Sequence, residues 1–133
     1  RVGDIMTRED FINKVIELID PFGINLSADD FYLAFAVEST IQDILNFCNL
    51  KEIPKELKHV VIRRALAKIL DFKLQTSGAD SINIEKGIRS ITEGDVSISY
   101  DTSLDRGVLL SKFIKEGLNY GMDNLYSFRD FRW

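Results

Sequence analysis

The chain has 133 residues, 45% of them hydrophobic and 29% charged, with a formal net charge of −4. Those values describe one ordinary soluble domain with room for a real core, and they argue against a general nucleic-acid binder, which must neutralise phosphates. One cysteine excludes an internal disulfide and fits a reducing compartment, and no apolar run approaches membrane-spanning length. The N-terminus carries no signal-peptide pattern, and it reads Arg1-Val2 without a Met, so this start need not be the start of the gene.

Thr7 is a candidate helix N-cap, with Asp10 placed to complete a capping box. Phe11, Val15, Leu18 and Ile19 follow at helical spacing, and the helix should stop before Pro21. Ser27 and Asp30 repeat the capping logic for a second helix reaching about Phe47. Its apolar stripe reads Phe31, Ala34, Val37, Ile41, Ile44, Leu45 and Cys48, with Glu38 at the edge.

Pro54 suits the first turn of a third helix, over 55–74. Leu57, Val60, Val61, Ile62, Ala65, Leu66, Ile69, Leu70 and Phe72 make that helix apolar over most of its girth, so it should be central. Arg63, Arg64 and Lys68 would form its remaining polar strip. A last helix spans 104–120, with Leu110, Phe113, Ile114, Gly117, Leu118 and Gly121 on one face, the glycines allowing close contact.

Between these helices, 82–100 alternates. Val96, Ile98 and Tyr100 share one parity, as do Ile82, Ile84 and Ile88, while Ile91 breaks it. The expectation is a β-hairpin with Glu93, Gly94 and Asp95 at its tip and a bulge near Gly87 or Arg89-Ser90. Ile84, Ile88, Val96, Ile98 and Tyr100 would seat it on its own helices or on a neighbouring subunit, since an isolated hairpin is marginal in water. The fold class is therefore mainly α: a bundle of about four helices with one inserted hairpin. Residues 1–125 form one domain and 126–133 an aromatic C-terminal tail.

No P-loop, GxGxxG or GxSxG motif is present. His59 and Cys48 are the sole members of their types, so neither a zinc site nor a Cys/His dyad has material. No catalytic residue, cofactor site or metal site is assigned. The acidic pairs Asp29/Asp30 and Asp101/Asp105 lie where helix N-termini favour negative charge. A metal-dependent hydrolase on Asp101 and Asp105 would lack a histidine nearby. Glu93 and Asp95 are either a solvated turn or an acidic tip facing a partner or a lumen. The basic set from Lys51 to Lys73 is either a solvated face or a contact for an acidic neighbour. Tyr126, Phe128, Arg129, Phe131, Arg132 and Trp133 have the composition of an interface hot spot, and this tail either folds back on its own core or docks on a partner.

Three stretches carry a resemblance: Leu45-Asn46-Phe47-Cys48-Asn49-Leu50, Ile53-Pro54-Lys55-Glu56-Leu57, and Ile88 to Tyr100 with its Glu93-Gly94-Asp95 and alternating Val/Ser/Ile/Ser. Together they resemble the head–tail connector (adaptor, head-completion) proteins of tailed bacteriophages, over roughly 27–120. The resemblance implies a non-enzymatic virion protein of the neck, made in the bacterial host cytoplasm. It implies a homo-oligomeric ring, usually twelve-fold, that sits under the portal protein and receives the next neck ring or a tail-completion protein. Such a ring extends the DNA channel and lets DNA pass without sequence-specific binding or any membrane. The tail residues above would then dock on the portal. The first helix and the tail have no counterpart in the family pattern. The competing reading is a small adaptor or regulatory domain that binds a protein partner without forming a ring.

Overall fold

Proline and glycine punctuation sets the helix boundaries in the computed structural model, which describes residues 7–27, 30–94 and 105–129. Helix α1 (Arg8–Ile19) opens on the expected capping box: Thr7 Oγ1 accepts the Asp10 amide at 3.2 Å, and Asp10 Oδ2 accepts the Thr7 amide at 3.0 Å. Pro21 ends it in a 3-10 turn, Asp20–Phe22, closed by Gly23 at φ 85°. That turn drives Phe22 into the core, where it is fully buried.

Helix α2 (Phe31–Cys48) is capped by Asp30 itself, whose Oδ1 accepts the Leu33 amide at 2.9 Å. It stops at Asn49, the one non-glycine residue with positive φ among those described, a geometry asparagine tolerates better than most side chains. After the 3-10 turn Lys55–Leu57 comes helix α3 (Lys58–Ser77), which packs against α1, α2 and the later helix Arg106–Leu118 and is the central element its composition implies. Val60, Val61, Ala65, Leu66, Ala67, Ile69 and Leu70 are all buried. A 3-10 turn, Ala79–Ser81, then leads to α4 (Ile84–Gly94), followed by α5 (Arg106–Leu118) and a short α6 (Met122–Phe128). Helices α3 and α5 approach so closely that a β-carbon on Gly117 would lie 2.7 Å from Ala67 Cβ.

The architecture is a mainly α bundle of packed helices, and no strand occurs among the described residues. The first arm of the expected hairpin is instead α4. Asn83 caps it, accepting the Lys86 amide at 3.2 Å through its side chain. Ile84, Ile88 and Ile91 fall at i, i+4 and i+7, so all three turn towards the bundle. The even separation of Ile84 and Ile88 fits a strand and a helical turn equally; Ile91, which broke the strand parity, is the residue that fits the helix. Nor is there a bulge at Gly87 or Arg89-Ser90. Gly87 is buried in α4 directly over the Phe22 ring, which in turn lies 5.7 Å from the Phe113 ring. Glu93 and Gly94 therefore belong to the last turn of a helix rather than to a hairpin tip. Asp95, Val96, Ile98 and Tyr100 lie outside the described residues.

The stripe on α2 also needs correcting. The buried residues are Leu33, Ala36, Val37, Thr40, Ile44 and Cys48, while Phe31 is 84% exposed. Thr40 is accommodated in this apolar face by donating its hydroxyl to the Ala36 carbonyl at 2.7 Å.

A candidate interaction surface

At 100° per residue, Phe31, Phe35, Glu38 and Gln42 share one ridge of α2, opposite the Leu33–Val37–Thr40–Ile44 core face. Phe35 is 56% exposed. Beside the ridge Tyr32 stacks on Phe72 of α3, with ring centroids 4.0 Å apart and planes 16° apart, and the Tyr32 and Phe35 centroids are 6.1 Å apart. Phe72, assigned to the core by its pattern, is itself 44% exposed. Three aromatic rings, Phe35, Tyr32 and Phe72, thus meet on one surface where α2 and α3 lie side by side, with Phe31 exposed on the same ridge as Phe35. Scattered apolar side chains on a surface are ordinary, but a contiguous aromatic patch marks an interaction site.

Carboxylates border this patch. Asp30 precedes Phe31, Asp71 precedes Phe72, and Glu38 continues the ridge. Burial, helped by the charge of Asp71, pushes the Tyr32 phenol above its ordinary value. Two cations on this face are engaged: Arg8 Nε lies 3.2 Å from Glu38, and Lys68 Nζ lies 3.4 Å from Asp43. Glu38 is thus an exposed, paired carboxylate on the ridge opposite the α2 core face, not at the edge of that face as its pattern implied.

A second aromatic surface forms at the other end of α2. Phe47 meets the edge of Tyr126 from α6 at 5.3 Å, and the Arg129 guanidinium lies 4.6 Å over the Phe47 ring. Tyr126 is 57% exposed, while Phe128 is half-buried against the core. Of the six tail residues expected to dock, these three are therefore split: Phe128 folds back, whereas Tyr126 and Arg129 stay accessible. Phe131, Arg132 and Trp133 lie outside the described residues. Beneath this surface Cys48 is buried and donates to the Leu125 carbonyl at 3.4 Å. Burial raises its thiol pKa, with Arg129 and Arg64 pulling the other way.

Arg63 is the polar residue that pattern reading placed wrongly. It is 8% exposed and lies inside the α3–α5 contact, with its guanidinium 4.2 Å from the Phe113 centroid and 5.2 Å from that of Tyr120. Its Nε and Nη1 have no acceptor among the described residues. Neighbouring Arg64 reaches outward to donate to the Tyr120 carbonyl at 2.7 Å, and burial lowers its pKa.

Among the described residues no group of three or more His, Cys, Asp or Glu could hold a metal ion. His59 stands edge-on to Tyr120 as a packing residue. Asp105 caps α5, accepting the Gly107 amide at 3.0 Å. Of the packing residues assigned to the hairpin, Ile84 is buried and Ile88 partly buried, both on α4. No described helix is long and apolar enough to cross a membrane. A scan against protein-family models found no match, and searches of the curated proteins and of the solved structures found none either.

Proposed function

We propose that this chain is a non-catalytic structural protein that assembles as a head–tail connector ring between the portal and the tail of a bacteriophage. The single observation that carries an assembly role is the exposed Phe31, Phe35 and Phe72 patch on a well-packed bundle. Two aromatic surfaces at opposite ends of α2 suit a heterologous contact, in which different faces of successive copies meet and a ring can close. The phage context rests on the resemblance of 45–50, 53–57 and 88–100 to connector proteins. In this reading the ring lies in the virion neck and meets the portal and the next neck or tail-completion protein. It encloses passing DNA, and the segment from Tyr126 onward makes an intermolecular contact.

Magnitudes fit an assembly that needs a template. Fully burying one phenylalanine is worth about 1.5–3 kcal/mol, so three part-exposed rings offer several kcal/mol at most. Association costs roughly 4–15 kcal/mol in lost freedom and ordering. A single contact is then weak: subunits associate only at high concentration, and a portal that holds several together drives the ring at low concentration.

The helix over Ile84–Gly94 favours the competing reading, since the resemblance leaned on a hairpin there. In that reading the same patch binds one protein partner and no ring forms. Sedimentation velocity with and without a portal separates the two. Stoichiometric uptake of several copies per portal supports the connector; a chain that stays monomeric and ignores the portal supports the adaptor.

A further inference from the structure

We infer that the Phe31–Phe35 ridge of one copy receives the aromatic, arginine-bearing tail of a second copy. The inference rests on the ring reading above and names the two surfaces that meet, with a second copy in place of the portal as the partner of the tail. Nothing described in the chain covers the ridge: Phe31 is 84% and Phe35 56% exposed. Its border is acidic, with Asp30, Glu38 and Asp71 around the rings; of the nearby cations Arg8 and Lys68 already lie against Glu38 and Asp43, and Lys73 follows Phe72. A complementary occupant carries aromatic rings for the patch and guanidinium groups for its border. The sequence Arg129-Asp130-Phe131-Arg132-Trp133 has both. Arginine is suited to the task, since it stacks on ring faces and pairs with carboxylates.

Reach decides whose tail it is. Arg129 is anchored over Phe47, and the four residues beyond it extend at most about 14 Å. Phe31 lies sixteen residues of helix away from Phe47, about 24 Å, and on the other side of α2. The backbone of 130–133 therefore falls short of Phe31 in its own chain; Phe35 is nearer, about 18 Å from Phe47, and a tail folded onto its own ridge would leave the mixture of variants below monomeric. A neighbouring copy stacked with its Phe31 end against the Phe47 end of the first has no such limit, and every copy then offers one ridge and one tail.

Complementary variants of the full chain test this. One carries Phe31→Asp and Phe35→Asp, the other Phe131→Ser and Trp133→Ser. Phe31 and Phe35 are exposed, Phe131 and Trp133 lie outside the described residues, and circular dichroism checks that both variants keep the helical content of the parent. Native mass spectrometry over a concentration series reads self-association. Each variant alone should need at least tenfold more protein than the parent to associate. An equimolar mixture should give a one-to-one heterodimer and nothing larger, because only one intact ridge and one intact tail remain to meet. If the parent assembles and both variants assemble equally well, the pairing is wrong while the ring reading stands. A mixture that stays monomeric overturns the pairing too, since it means that the two surfaces do not recognise each other. A parent that is monomeric at every concentration also overturns it; the ring on a portal is then judged by imaging.

Discussion

Gly87→Ala separates the helix at Ile84–Gly94 from a hairpin more sharply than any other single change. In a helix interior this substitution ordinarily stabilises by about 1 kcal/mol, because glycine loses more backbone freedom on folding. Here the added methyl would land on the Phe22 ring. That ring cannot retreat, being fully buried and packed against Phe113. Overpacking of this kind costs roughly 1–3 kcal/mol, and more where neighbours are rigid. The clash should therefore cancel or reverse that gain, for a net loss of up to about 2 kcal/mol. At this chain length about 1 kcal/mol moves Tm by roughly 4 °C, so thermal melting followed by circular dichroism should show a drop of up to roughly 8 °C. Phe22→Leu opens space under Gly87, so the double variant should lose less than the two single losses added together, by about 1 kcal/mol or more. A rise in Tm for Gly87→Ala alone would refute the reasoning, since it would mean that no ring lies under that position.

The remaining expectations concern Arg63 and Cys48. Arg63→Met should be neutral or stabilise by up to about 2 kcal/mol in urea unfolding, because two buried N–H groups without acceptors cost about 1–3 kcal/mol each while the cation–π contacts return about 0.5–2. A loss above about 1 kcal/mol would show that the guanidinium has an acceptor after all. Cys48 should react with a thiol reagent only when α6 lifts away, so Leu125→Ala should speed labelling at least tenfold without unfolding the bundle; unchanged slow labelling would contradict the packing of α6 on α2. The buried thiol and the Tyr32 phenol both have raised pKa values in the fold, each for burial first. Their contribution to stability is thus complete below their unfolded pKa values and is lost as pH rises through the folded ones, so urea midpoints should fall on the alkaline side of neutrality and not on the acid side from these groups.

Most of the bundle was legible because its boundaries are written in local chemistry. Thr7 with Asp10, Pro21, Asp30, Pro54 and Gly78 each act on neighbours a few residues away, and the girth of apolar residues on α3 makes its central place plain. Three features were not legible, for different reasons. Ile84 and Ile88 are separated by four, which satisfies both periods, and the alternation of Val96, Ile98 and Tyr100 encouraged the strand reading upstream. The α2 stripe was phased on Phe31, the largest apolar residue at its start; phased instead on Leu33, Val37, Thr40 and Ile44, it leaves Phe31 and Phe35 on the ridge of Glu38 and Gln42. That mismatch, two phenylalanines among polar ridge positions, is the sequence signal for the interaction surface. Arg63 could not be told from Arg64 by composition, since which of two adjacent arginines turns inward depends on where α5 packs. The tail divides for a similar reason: Phe128 finds the core while Tyr126 and Arg129 remain around Phe47.

The claim that this chain builds a ring on a portal is tested most directly by negative-stain electron microscopy of the full chain mixed with an assembled phage portal. The account expects a second ring, coaxial with the portal and with an open central channel, that disappears with Phe31→Asp and Phe35→Asp. Bare portals surrounded by dispersed monomers would contradict it.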